Sequence, residues 1–79
     1  MNSPAQREIA REHLELANRH VAGGQKRVQA QRDLADQLER DGHDTDRART
    51  LLAQFEATLA FQVEHRDRIL RELADGELP

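Results

Sequence analysis

Residues 38–52 read Leu38-Glu39-Arg40-Asp41-Gly42-His43-Asp44-Thr45-Asp46-Arg47-Ala48-Arg49-Thr50-Leu51-Leu52, and the five in the middle, Asp41 to Thr45, decide the fold. Gly42 suits the left-handed position that follows a helix C-terminus, and Asp44 or Thr45 offers an oxygen to cap the next helix. So short a span between one stop and the next start reverses the chain tightly. The helices on either side must then lie antiparallel against each other.

Working back toward the N-terminus, Ser3-Pro4-Ala5-Gln6 is a strong start signal: a Ser N-cap, Pro in the first helical position, and Gln three residues after the cap. From there the apolar or small positions Ala10, Leu14, Ala17, Val21, Gly24, Val28, Gln31, Ala35 and Leu38 alternate in steps of four and three. The phase runs straight through Gly23-Gly24. Two glycines inside a helix cost roughly 2 kcal/mol relative to alanines, but a loop there would not oblige the stripe to resume in register. The spacing therefore predicts one helix over about 4–41.

Working forward, Ala48, Leu52, Phe55, Leu59, Gln62, Arg66, Ile69 and Leu73 carry the same alternation and predict a second helix over about 45–74, ending near Gly76. Glu77-Leu78-Pro79 reads as a frayed tail. A reversal at His43 sets Leu38 opposite Ala48, Ala35 opposite Leu52, Gln31 opposite Phe55, Val28 opposite Leu59, and Gly24 opposite Val63. The fold class expected is all-α, a hairpin of two long helices forming a single domain over residues 1–79.

Outside this seam lies a second stripe, on the positions lettered g and c when the seam is lettered a and d. On the first helix it comprises Ile9, His13, Leu16, His20, Gly23, Arg27, Ala30 and Leu34; on the second it includes Leu51, Thr58, Phe61 and His65. The opposite flank of the first helix, Arg11, Asn18, Gln25, Arg32 and Glu39, is wholly polar. In an antiparallel pair the g positions of both helices lie on one side of the seam, so the two halves of the stripe merge into one face. A lone hairpin would leave that face wet, which points to self-association as a four-helix bundle. The expected association residues are Ile9, His13, Leu16, His20, Leu34, Leu51, Thr58, Phe61 and His65. Val63 and Leu70 fall on the far flank and do not fit this scheme.

Composition narrows the function classes. The 79 residues are 34% charged and 3% aromatic, with no cysteine and a formal net charge of -3. Thiolate metal sites and disulfides are excluded, and a core this small calls for a partner as its remaining source of stability. The negative balance weighs against a general binder of nucleic acid or anionic membrane. With no apolar segment at the N-terminus and no run of about 18 apolar residues, the chain is expected to be soluble and cytoplasmic.

Catalysis finds no foothold. Ser3, Thr45, Thr50 and Thr58 stand in no pattern with a base and an orienting carboxylate, and Gly23-Gly24 lacks the strand and lysine of a phosphate loop. His13 and His20 are two turns apart, roughly 10 Å along the axis, too far to share one ion. No cofactor or metal is expected, and the histidines read as members of an amphipathic face. Glu15 with Arg19, Asp36 with Arg40, Glu64 with Arg68 and Asp67 with Arg71 have the favourable order of i, i+4 pairs. Arg27 and Arg66, beside the core, are expected to extend outward toward acidic neighbours.

The segment LERDGHDTDRARTLLAQFEATLAFQVEHRDRILREL, residues 38–73, resembles a group of short bacterial proteins of unknown function that share an arginine-rich first helix, a GHDT-like turn and an HRDRILREL-like ending. The resemblance implies a small bacterial protein and transfers no catalytic residue. In architecture alone the expected hairpin is similar to the plasmid copy-number regulator Rop, a short acidic hairpin that dimerises and binds paired RNA loops. The function expected is a non-catalytic protein-interaction or regulatory module acting as a homodimer. The alternative is a Rop-like RNA-binding dimer using Arg7, Arg11, Arg19, Lys26, Arg27 and Arg32, although Glu8, Glu12 and Glu15 already interrupt that series.

Overall fold

The computed structural model describes residues 3–77. They form two helices and no strand: α1, Pro4–Arg40, and α2, Asp46–Glu77, packed side by side in a rod of 59 × 14 × 14 Å. Both elements lie where the periodicity puts them, with one difference. Expected to end at about residue 74, α2 continues to Glu77, and Gly76 sits inside it. A glycine costs only about 1 kcal/mol in a helix, and Gly76 has no positive φ with which to stop one. Leu78 and Pro79, the rest of the expected tail, lie outside the described residues.

The start of α1 is a complete capping box. The Gln6 amide donates to Ser3 Oγ at 3.2 Å, and the Ser3 amide donates to Gln6 Oε1 at 2.9 Å. At the other end the chain leaves α1 through a Schellman motif. Gly42, at φ 77°, donates to the Glu39 carbonyl at 3.1 Å, and His43 donates to the Leu38 carbonyl at 2.9 Å. An L-residue at Gly42 would be strained whatever space surrounds it. The Asp44 carboxylate then accepts from the Asp46 amide at 2.9 Å, and the Arg49 amide donates to the Thr45 carbonyl at 2.8 Å, so Asp44 supplies the capping side chain and Thr45 the first backbone acceptor of α2. Arg49 also reaches back across the turn to Glu39 at 3.1 Å and Asp36 at 3.5 Å, tying the helices at the loop end.

The core is the predicted seam. Ala17, Val21, Val28, Ala35, Ala48, Leu52, Ile69 and Leu73 are buried, Ala35 completely, and Ala17, Ile69 and Leu73 form a cluster against which Ala10 and Leu14 pack. Phe55 and Leu59, although on the seam, are only half-buried. Two helices make one layer, and that layer covers the outer edge of a large side chain incompletely.

Gly23-Gly24 leaves α1 unbroken, and the two glycines have different surroundings. Gly24 is buried against α2, with no room for a side chain: a Cβ there would lie 2.5 Å from Gln62 Oε1 and 3.1 Å from Leu59 Cδ1. It therefore faces Gln62 and Leu59 on the seam, not Val63 on the far flank as expected. At Gly23 a Cβ would meet nothing nearer than the Arg27 guanidinium at 3.5 Å, an ordinary contact. Gly23→Ala is accordingly expected to raise stability by about 1 kcal/mol through helix propensity, seen as a higher denaturant midpoint at unchanged slope. An unchanged midpoint would contradict this.

Gln31 is the one buried polar residue of the core, and its amide donates to the Ala48 carbonyl at 3.0 Å. From the level of Phe55 its long side chain leans toward the loop and finds an acceptor there.

Candidate functional site

The second stripe remains on the surface. Phe61 is 72% exposed, Ile9, Leu16 and Leu34 are 49–52% exposed, and Leu51 is 39% exposed. With Leu70 on the opposite flank, these are all the large hydrophobic side chains left exposed among the described residues. Heptad geometry makes the concentration intelligible. The g positions of both helices border the same edge of the seam, and the c positions extend that edge outward, so a side chain on either is displaced from the helix–helix contact toward one side.

Near the middle of the rod this face is concave. One groove of about 260 Å³ is lined by Ala17, His20, Thr58, Phe61, Gln62 and His65, and an adjoining one of similar volume by His13, Leu16, Ala17, His20 and His65. Six of the nine expected residues, His13, Leu16, His20, Thr58, Phe61 and His65, thus come together around two adjoining hollows. Ile9 lies beyond them toward the open end of the hairpin, and Leu34 and Leu51 lie toward the loop, on the same stripe but away from the grooves.

Ala17 and Gln62 belong to the grooves although they were read only as seam positions. Ala17 is shared by both, because a methyl side chain between larger neighbours leaves a hollow; a small residue on a seam flanked by His13, Leu16, His20 and Phe61 was the available signal. Gln62 Oε1 is buried without a hydrogen-bond partner, held beside Gly24. Its carbonyl has exchanged water for apolar surroundings without compensation.

The charged side chains flanking the face are ordinary helix-surface groups. Glu64 and Arg68 make their expected i, i+4 pair at 3.8 Å. Arg66 pairs with Asp67 at 3.1 Å. Asp36 pairs with Arg49, and Arg40 donates to Gln37 at 2.8 Å. The Arg27 guanidinium lies over Gly23, where its planar group covers bare backbone. His13, His20 and His65 share a groove, yet among the described residues no three His, Asp or Glu side chains are placed to hold a metal ion. No helix among the described residues is long and apolar enough to cross a membrane.

No family model, curated protein or solved structure matches the chain. What the face can do follows from its form. It offers exposed apolar side chains along one edge, hollows lined partly by histidines, and a projecting aromatic ring, a mixture that suits contact with another protein surface.

Proposed function

We propose that this chain is a non-catalytic protein-interaction or regulatory module that acts as a homodimeric helical bundle, with the stripe from Ile9 to Leu34 and from Leu51 to His65 as its self-association face. The observation that carries this reading is the collection of Ile9, Leu16, Leu34, Leu51 and Phe61 on one side of the rod, all exposed. Scattered exposed apolar residues are normal in a soluble protein, but here five of the six large ones exposed among the described residues lie along one edge, and a one-sided apolar surface favours an interface.

Size supports a second copy as the occupant. A face 59 Å long and 14 Å wide covers about 800 Å², the area each partner gives to a stable protein–protein interface. Covering it would add the missing second layer over the half-buried Phe55 and Leu59. The polar outer surfaces of the bundle would then remain for other partners.

A Rop-like RNA-binding dimer is less well supported, because the cations do not share a face. Arg19 and Lys26 occupy the outer f position of α1, Arg27 lies on the stripe and Arg32 on the opposite flank, whereas phosphate contacts need cations gathered along one surface.

Light scattering coupled to size-exclusion chromatography tests the proposal. The expected mass is twice the 9.1 kDa of one chain, falling toward one chain only on dilution. A monomer at every concentration up to the millimolar range would overturn it.

A further inference from the structure

We infer that the second copy docks antiparallel, with the two loops at opposite ends of the bundle and Phe61 of each copy beside the two-fold axis. This inference rests on the homodimer reading. A two-fold axis lying in the interface can run along the rod, placing loop beside loop and α1 across from α2, or across the rod, placing loop beside open end and α1 across from α1. Charge distinguishes the two, and apolar register sets the level of the axis.

The charge of the chain is concentrated at the loop. Residues 33–49 contain six acids, Asp33, Asp36, Glu39, Asp41, Asp44 and Asp46, against three bases, Arg40, Arg47 and Arg49, a difference of -3. The whole chain also has a formal charge of -3, so the rest of the molecule is balanced. Loop beside loop would set two segments of -3 against each other. The antiparallel arrangement sets each against the open end, where residues 3–20 and 66–77 carry six bases against seven acids, a difference of only -1. Screening over about 8 Å at physiological salt weakens this term without removing it for groups at the same end of a bundle.

Apolar register sets the level of the axis. Gly24 faces Gln62 and Leu59, so Phe61 stands level with Gly23-Gly24, the middle of α1. An axis across the rod at that level, where Phe61 stands opposite residue 25 of α1, brings Leu16 of one copy to Leu34 of the other and each Phe61 ring to its two-fold copy. With the axis along the rod, Leu34 would meet Leu51, Leu16 would lie against Arg68 and Glu72, and Phe61 would lie against Gly23 and Arg27 in place of a second ring. In the antiparallel register Leu51 is the residue that meets Arg68 and Glu72, whose methylene stems can cover it. Phe61, projecting at the centre, covers the hollow between His20 and His65 of the other copy, and the relation is reciprocal.

The chain has no cysteine, so a single nitroxide label can be placed at His43→Cys, an exposed turn position, in the full-length protein. Pulsed electron–electron double resonance then reads the distance between the loops. On a rod 59 Å long, with about 1.5 Å of rise per residue from the centre to the turn, the antiparallel dimer is expected to give about 50–60 Å. A distance under about 25 Å in a sample of dimer mass would overturn the antiparallel arrangement and leave the homodimer standing. Absence of dipolar coupling in a sample of monomer mass would overturn both.

Discussion

Gly24→Val is expected to lower stability by about 2–3 kcal/mol, whereas Gly23→Ala, one residue earlier on the same helix, raises it. The contrast isolates packing from propensity. Replacing either glycine removes the same kind of backbone freedom and favours the helix in isolation. At position 24 a Cβ would already lie 3.1 Å from Leu59 Cδ1 and 2.5 Å from Gln62 Oε1. The Gln62 amide is the end of a flexible side chain and can withdraw. Leu59 is held between the helices, and the two Cγ atoms of valine add further volume toward it. The helices must then separate at this level, loosening Val21 and Val28 on either side. For a domain of this size the change corresponds to a melting temperature lower by roughly 10–20 °C, followed by circular dichroism at fixed protein concentration because dimerisation links stability to concentration. A melting temperature within about 3 °C of the wild type would show that α1 and α2 do not depend on close approach at Gly24.

Much of this architecture was legible because it is written in local chemistry and period. Ser3-Pro4-Ala5-Gln6 carries the whole capping box within four residues, and Gly42 and Asp44 carry the turn. The alternation from Ala10 to Leu38 and from Ala48 to Leu73 defines the seam, and its phase is what identified Gly23-Gly24 as part of a continuous helix. Period fixes which face a residue occupies. It does not fix where along the partner helix a flexible side chain comes to rest. That is why the period sets Gln31 level with Phe55 without showing that its amide reaches the Ala48 carbonyl, and why it sets Gly24 opposite Val63 where Gln62 and Leu59 lie against it.

The same distinction governs the candidate site. On α1 the stripe was readable because Ile9, Leu16, Ala30 and Leu34 contrast with a wholly polar opposite flank, whereas on α2 Val63 and Leu70 blur that contrast. Its relief was not, because a hollow depends on the sizes of side chains from two helices at one level. Ala17 shows the point: on the sequence it is one small seam residue among several, and only its position beneath His20, Phe61 and His65 makes it the floor of both grooves. Asp36 is a parallel case at the surface, where the period offered Arg40 one turn away but the turn brings Arg49 within 3.5 Å from the other helix.

Phe61→Asp is expected to weaken self-association at least 100-fold while leaving the hairpin helical. In a single hairpin the ring is 72% exposed, so its removal costs the α1–α2 seam little, and the far-ultraviolet dichroism per residue should persist where the protein is concentrated enough to fold. In the dimer the same ring lies at the centre of the interface, where aromatic side chains carry a disproportionate share of binding energy. The carboxylate that replaces it would be desolvated, with its two-fold copy beside it. Losing the aromatic contact and burying repelling charges together amount to about 3 kcal/mol or more. Two-fold symmetry places the substitution on both sides of the axis. Leu70→Asp supplies the comparison, because Leu70 is also exposed, at 45%, but lies on the opposite flank. Sedimentation equilibrium should find Phe61→Asp monomeric at concentrations where the wild type and Leu70→Asp remain dimers. The reverse pattern, with Leu70→Asp dissociating and Phe61→Asp intact, would move the interface to the far flank and leave the grooves around His20 and His65 open to solvent.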